Sequence, residues 1–238
     1  MNRHDLSDFV IQLTDSATRL GPLDFNRDLI RLVRSIARFD SAWWGWSVIR
    51  ERHLSFVHSQ TLNLAPGFVD SAKAQLETDP FMHRARRLRH FAQALSAKDV
   101  ESNSPAAAVM HDYGIAQALA GHCRVGDGPF NFFMSLYRSS PEPRFTAEET
   151  GDVRILLRHA QQALALSLRL TLGSQVDRGE EWALADAGGE LFLHSPGFPS
   201  LHRRSGRAEL QRLPLDLPVT RAGVAFRSRR YSEDLVLV

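Results

Sequence analysis

The chain has 238 residues, 43% of them hydrophobic and 24% charged, which suits a large folded domain and excludes a disordered composition. Its formal net charge of +2 at pH 7 excludes nucleic-acid binding driven by charge over the whole surface. The single cysteine, Cys123, excludes an intrachain disulfide framework, and no apolar run approaches the roughly 20 residues that span a bilayer. We therefore expect a soluble, cytoplasmic protein that does not bind membranes.

The first part of the chain predicts helices around a β-hairpin. Apolar residues at three- and four-residue steps favour amphipathic helices, and runs of aromatic and β-branched residues favour strands. The predicted elements are helices 5–20 and 24–39, strands 42–49 and 54–59, a helix from Pro66 to about residue 77, and a helix after Asp79-Pro80 that runs to about His90.

The second part predicts further strands and one long helix. Thr146, with Glu149 three residues later, forms a capping box that marks the start of the long helix. The predicted elements are a short strand near Phe91, a short helix near Ala106, strands 115–125 and 130–138, the helix from Thr146 to 172, strands 182–185 and 190–194, a short basic helix, and strands 223–228 and 231–238.

This element order indicates an α+β fold. We predict an α/β/α sandwich with a mainly antiparallel central sheet over residues 1–172, ending in a long dimerisation helix. Residues 173–180 are polar and predict a linker, and residues 181–238 predict a small β-rich tail.

The sequence carries no catalytic signature. It lacks a glycine-rich phosphate loop, a GxSxG elbow and an HExxH motif, and its ten histidines are scattered. The basic run from His83 to His90 is interpreted as a solvated helix face, because nearby acids keep the chain close to neutral. We expect no enzyme, no catalytic residue, no metal site and no cofactor, and we expect Cys123 to be a buried, inert thiol.

Two predicted strands suggest a pocket on one side of the sheet. Side chains alternate along a strand, so Trp43, Gly45 and Ser47 share one face and Trp44 and Trp46 the other. Phe133 and Ser135 likewise share a face of the later strand. Small and polar side chains there leave room for a ligand. The same pattern also fits a plain packed core, and the residues alone leave both interpretations open.

Asp79, directly before Pro80, also allows two interpretations. It follows an amphipathic helix and could turn inward, or it could cap a helix or form a turn, which is common for Asp-Pro.

Together these features resemble the sensory regions of LuxR-type bacterial transcriptional regulators, in their autoinducer-binding and GAF-like forms. The resemblance covers about residues 5 to 172. It is carried in order by 39–46 (FDSAWWGW), 64–68 (LAPGF), Asp79-Pro80, 112–115 (DYGI), 133–138 (FMSLYR) and 145–149 (FTAEE).

The resemblance implies a ligand held between the sheet and one helical layer. It places Asp79 where the acyl-homoserine-lactone receptors accept a hydrogen bond from the ligand amide. It places Ser135, Trp43 and Gly45 at strand positions that face the pocket, and Phe68 in place of one receptor aromatic residue. The second aromatic residue of that helix is missing, so the expected ligand is an unknown, small and largely apolar molecule.

Beyond residue 180, the stretch 182–189 (WALADAGG) resembles the start of a degenerate PAS-like segment. No helix-turn-helix signature is present, so DNA contact is expected only through a reader outside this chain. We expect the sensory part of a longer regulator, or a version without the reader, acting as a homodimer in quorum sensing. The alternative is a ligand-independent dimerisation module that modulates a full-length regulator.

Overall fold

A computed structural model describes residues 3–50, 53–76, 79–85, 87–101, 104–124, 130–174, 180–186, 189, 191–204, 219–221, 224–226, 228–230 and 235–238. The chain forms two compact units. The first comprises residues 1–15 and 26–162, and the second comprises residues 16–25 and 163–238.

The helices and strands alternate along the chain much as the sequence predicts. The helices are α1 (Arg3–Arg19), α2 (Pro22–Val33), α3 (Phe68–Ala74), α4 (Pro80–Ala85), α5 (Pro105–Asp112), α6 (Ala147–Ser174) and α7 (Phe198–Arg204), with a 3₁₀ helix at Ala97–Asp99. The strands are β1 (Ser41–Arg50), β2 (His53–Leu62), β3 (His90–Ser96), β4 (Gln117–Arg124), β5 (Phe130–Arg138), β6 (Ala183–Asp186), β7 (Leu191–His194), β8 (Val219–Arg221), β9 (Val224–Phe226), β10 (Arg229–Arg230) and β11 (Leu235–Leu237).

The first unit contains a five-stranded sheet in the order β2-β1-β5-β4-β3, and every neighbouring pair is antiparallel. One face of the sheet packs against α6, where a Cβ on Gly121 would lie 2.8 Å from Leu157 Cδ1. Because Gly121 has no side chain, the helix can approach β4 closely. Helices α3, α4 and α5 cover the other face. The predicted α/β/α sandwich with an antiparallel sheet is confirmed.

The predicted start of α6 is also confirmed. The Glu149 amide donates to Thr146 Oγ1 at 3.0 Å, and the Thr146 amide donates to Glu149 Oε2 at 2.8 Å. Arg138 at the end of β5 donates to the other oxygen of Glu149 at 2.5 Å, and its guanidinium stacks on the Phe145 ring at 3.8 Å. This network ties the helix start to the end of the sheet.

The predicted helix to His90 was wrong, because α4 ends at Ala85 and β3 begins at His90. His90 to Ser96 pair along their whole length with β4, so sheet pairing overrides local helix preference. Only the start of the basic run, His83 to Ala85, lies in a helix, and His83 and Arg84 are exposed there as predicted. Similarly, α2 ends at Val33 rather than at 39, and the Asp40 amide already donates to the Tyr137 carbonyl at 2.8 Å.

The second unit contains an antiparallel sheet in the order β10-β11-β6-β7 and a separate β8-β9 hairpin. At the turn after β7, Ser195 Oγ donates to Glu181 and accepts from the Trp182 amide at 2.9 Å. The Gly197 amide donates to the same carboxylate at 3.1 Å. The PAS-like character of this β-rich tail stays a prediction.

The predicted domain boundaries differ from the compact units. Residues 1–172 were expected to keep the whole long helix, whereas the helix contributes to both units. Within the second unit, Ser167 Oγ donates to the Leu20 carbonyl at 2.8 Å, which explains why residues 16–25 group with the end of α6. Most of the predicted linker, 175–179, and part of the last predicted strand, 231–234, lie outside the described residues.

Candidate ligand-binding site

A cavity of about 120 Å³ lies in the first unit between the sheet and helices α3, α4 and α5. Its floor comes from all five strands of the sheet, β1 to β5, and its lining is mostly apolar. Six of the seven predicted ligand-binding residues line it: Trp43, Ser47, Phe68, Asp79, Phe133 and Ser135. The structure therefore brings most of the predicted site together, and the role of these residues in ligand binding stays a prediction.

Gly45 is the exception. The prediction that Gly45 leaves space for a ligand was wrong, since it is absent from the cavity lining. A Cβ on Gly45 would lie 2.1 Å from the His58 carbonyl oxygen, and the residue has a φ of +153°. The pairing of β1 with β2 shifts register just after this point, between Trp46 and Ser47. Glycine is needed here because the backbone of β2 passes so closely.

The cavity wall is built largely of aromatic rings that contact one another. The Trp43 ring centroid lies 4.4 Å from that of Phe56, 5.9 Å from that of Phe68 and 5.1 Å from that of Phe133. Phe56 and Phe133 are themselves 4.8 Å apart. The rings meet at tilted or edge-on angles, which is the favoured geometry for aromatic pairs. They occupy part of the space on this face but leave the cavity open.

Trp43 also carries a buried polar atom that is not satisfied. Its side chain is 5% exposed, and its Nε1–H has no hydrogen-bond partner among the residues that the structure describes. Leaving such a donor buried and unpaired costs about 1–3 kcal/mol. Trp43 is also one of the residues that line the cavity.

Asp79 performs both of the roles that the sequence left open. Its Oδ1 accepts a hydrogen bond from the Phe81 amide at 2.8 Å, so it caps the start of α4. It also lines the cavity, close to Tyr137 at the end of β5. Burial raises the pKa of the Tyr137 phenol well above its ordinary value, and the Asp79 carboxylate raises it further, while a hydrogen bond with Ser135 opposes this. Tyr137 is therefore a neutral phenol at this site.

His122 on β4 is a lining residue that the sequence analysis missed. Its Nε2–H donates to the Leu88 carbonyl at 2.6 Å, and its ring lies edge-on to Phe91 with centroids 5.0 Å apart. Burial lowers the pKa of His122 to about 4. The imidazole is therefore neutral at physiological pH and adds no charge to the cavity.

Met110 on α5 and Ala118 and Ala120 on β4 were also missed. A signal for the last two was present, because Ala118, Ala120 and His122 alternate along β4 and so share the cavity face. Met110 lies on a short helix whose register could not be read from its run of alanines. Because alanine side chains are small, Ala118 and Ala120 leave room beside β4, which lines the cavity together with β1 and β5.

Catalytic or metal chemistry has little support at this cavity. In the described ranges, no three His, Cys, Asp or Glu side chains gather in a way that could hold a metal ion. Cys123 is buried on the opposite face of β4, and burial raises the pKa of its thiol. A thiol with a raised pKa is a poor nucleophile at neutral pH.

No protein-family model matches the chain, and no curated protein matches its sequence. Several solved structures do match. The N-acylhomoserine lactone-dependent LuxR-family transcription factor CepR2 from Burkholderia cenocepacia is 14% identical with a TM-score of 0.51, over 70% of this chain and 98% of that chain. The ligand-binding domain of VqsR from Pseudomonas aeruginosa is 17% identical with a TM-score of 0.50, over 69% of this chain and 96% of that chain.

Escherichia coli SdiA also matches, with 11% identity and a TM-score of 0.54 over 70% of this chain and 69% of that chain. SdiA in complex with octanoyl-rac-glycerol gives 14% identity and a TM-score of 0.55 over 72% and 69%. The fold is that of LuxR-family ligand-binding domains. The fold expected from the resemblance is thus confirmed. At these identities the likeness concerns the fold alone.

Proposed function

We propose that this chain is the small-molecule-sensing region of a LuxR-family transcriptional regulator and that its ligand binds in the cavity of the first unit. The observation that carries the proposal is the cavity itself, which is lined mostly by apolar side chains. One of them belongs to Trp43, whose buried N–H has no partner among the described residues. Ligand sites are typically apolar with a few placed polar groups. The shared fold with LuxR-family regulators supports the same assignment.

Ligand binding would change the packing of the helices on both faces of the sheet. A ligand that contacts α3, α4 and α5 stabilises one packing of those helices on the sheet, and it shifts the equilibrium only as far as it binds that packing more tightly. We propose that α6, on the other face, passes this change to a partner copy. The exposed Ile155, on the part of α6 that belongs to the first unit, supports a dimer contact, because an apolar side chain exposed on a helix favours pairing.

The remaining parts of the proposal follow from the sensory role. DNA would be contacted only by a helix-turn-helix outside this chain, and the protein would act in the bacterial cytoplasm, with quorum sensing as one setting. No catalytic residue, cofactor or metal is assigned. No helix in the described part of the chain combines the length and apolar character needed to cross a bilayer.

Thermal melting of the full chain with small apolar compounds tests the proposal. Compounds that enter the cavity are expected to raise the melting temperature, because a ligand that binds only the folded state stabilises it. The Ala120→Ile variant, whose larger side chain takes up part of the same space, is expected to lose most of this response. If compounds raise the melting temperature of both proteins equally, they bind elsewhere and the cavity is not the site.

A ligand-independent dimerisation module is the second candidate. It is favoured by the aromatic cluster of Trp43, Phe56 and Phe133, which fills part of the pocket face with the protein's own side chains. Light scattering of the unliganded chain and of Ile155→Glu distinguishes the two. A dimer that persists without ligand, is lost in the variant and is unaffected by any cavity compound would favour this candidate.

A further inference from the structure

The volume of the cavity limits the size of its ligand. The cavity measures about 120 Å³, whereas drug-sized ligands occupy pockets of roughly 300–1,000 Å³. An engineered apolar cavity of about 150 Å³ in another protein holds one benzene molecule. Close-packed walls do not widen without cost, so the space as it stands suits one six-membered ring with a small substituent.

The side chains that line the cavity favour an aromatic ring over a saturated ring. Trp43, Phe56 and Phe133 meet edge-on or tilted, with centroids 4.4 to 5.1 Å apart, and Phe68 and Tyr137 continue the cluster with centroids 5.5 Å apart. An aromatic guest can extend this arrangement, because ring edges carry partial positive charge and ring faces partial negative charge. A saturated guest of the same size fills the space but gains nothing from these quadrupoles.

The unpaired Trp43 N–H adds a polar requirement. Its ring lines the cavity, and the donor has no partner among the described residues. A guest with a carbonyl or similar acceptor would satisfy this donor, whereas a purely hydrocarbon guest would leave it unpaired. The Tyr137 phenol is already hydrogen-bonded to Ser135, so the indole is the donor that gains most from such a guest.

We propose that the ligand is a compact monocyclic aromatic compound that carries a hydrogen-bond acceptor for Trp43, and that a long acyl chain does not fit wholly inside the cavity. This inference rests on the proposed function and specifies the ligand class of the same site.

Three small probes of nearly equal size separate the two requirements. Benzaldehyde has both the aromatic ring and the acceptor, styrene keeps the ring but replaces the carbonyl oxygen with carbon, and cyclohexanecarbaldehyde keeps the acceptor without aromaticity. Affinities are measured by isothermal titration calorimetry on the full chain. Benzaldehyde is expected to bind about tenfold more tightly than styrene, the ratio that one net hydrogen bond gives, and more tightly than cyclohexanecarbaldehyde.

Two matched tryptophan variants locate the acceptor contact. Trp43→Phe keeps an aromatic ring but removes the N–H, so benzaldehyde and styrene are expected to bind it with equal affinity. Trp44→Phe is the control, because Trp44 Nε1 is also buried without a partner in the described structure but its side chain is not in the cavity lining. It is expected to retain the tenfold preference. If Trp43→Phe fails to fold, the preference of the unmodified chain still decides whether an acceptor matters.

The outcomes separate this inference from the proposed function. If octanoyl-homoserine lactone or octanoylglycerol binds and raises the melting temperature while benzaldehyde and styrene do not, the aromatic class is wrong and the sensory role stands. If benzaldehyde and styrene bind the unmodified chain equally, the acceptor requirement is overturned. If none of the probes binds and xenon does not enter the cavity, both proposals fail.

Discussion

Replacing Ala120 with isoleucine should make the protein more stable. Ala120 is 4% exposed on β4 and lines the cavity of about 120 Å³. Empty core volume costs about 24 cal/mol per Å³, so this cavity corresponds to about 3 kcal/mol of lost packing. The added side-chain carbons would recover roughly half, or about 1.5 kcal/mol, which lies in the range of known cavity-filling substitutions.

The assay is thermal unfolding followed by circular dichroism, in which this gain raises the melting temperature by about 3–6 °C. Ala42→Ile is the matched control, because Ala42 is fully buried on β1 and does not line the cavity. Overpacking there should destabilise the protein by about 1–3 kcal/mol. If Ala120→Ile lowers the melting temperature as much as Ala42→Ile does, the space beside Ala120 is not empty.

Three further predictions concern residues of the five-stranded sheet that carries the cavity. Arg138→Ala should destabilise the protein by on the order of 3 kcal/mol in urea unfolding, because the largely buried Glu149 carboxylate loses its partner; a change below about 0.5 kcal/mol would contradict this. In the folded chain His122 has a pKa of about 4, whereas a histidine in the unfolded chain has a pKa near 6.5. Between these pH values the unfolded chain therefore binds more protons than the folded chain. Stability should therefore fall as the pH drops from about 6.5 towards 4, by about 3 kcal/mol in total, and the His122→Gln variant should lose this component; an unchanged pH profile in the variant would count against the buried neutral ring. Gly45→Ala should unfold the protein or greatly lower its melting temperature, because its Cβ would lie 2.1 Å from the His58 carbonyl oxygen, and a variant of normal stability would refute the close strand approach.

Strand alternation predicted the sheet side of the site well. Trp43 and Ser47 on β1, and Phe133 and Ser135 on β5, line the cavity because side chains two residues apart share a face. The same rule failed for Gly45, because strand alternation predicts which face of the sheet a side chain occupies but not how closely the backbone of the neighbouring strand approaches. A bulge between β1 and β2 could not be predicted from either strand alone.

The helical side was harder to predict. Phe68 and Asp79 were selected mainly through family resemblance. The Asp-Pro pair alone fits a helix cap as well as it fits a residue that faces a pocket, and Asp79 both caps α4 and lines the cavity. His122 was missed because a lone histidine on a strand carries no motif. The end of α4 was misplaced because the pairing of β3 with β4 depends on residues far apart in the chain.

Xenon binding to crystals of the full chain shows whether the first unit contains an empty apolar cavity, and it needs no knowledge of the natural ligand. Apolar cavities of this size take up xenon. We predict anomalous density between the sheet and helices α3 to α5, beside Trp43 and Phe133, and its disappearance in Ala120→Ile. Density only elsewhere, or none at all in the unmodified chain, would show that the first unit encloses a solid core and has no room for a ligand.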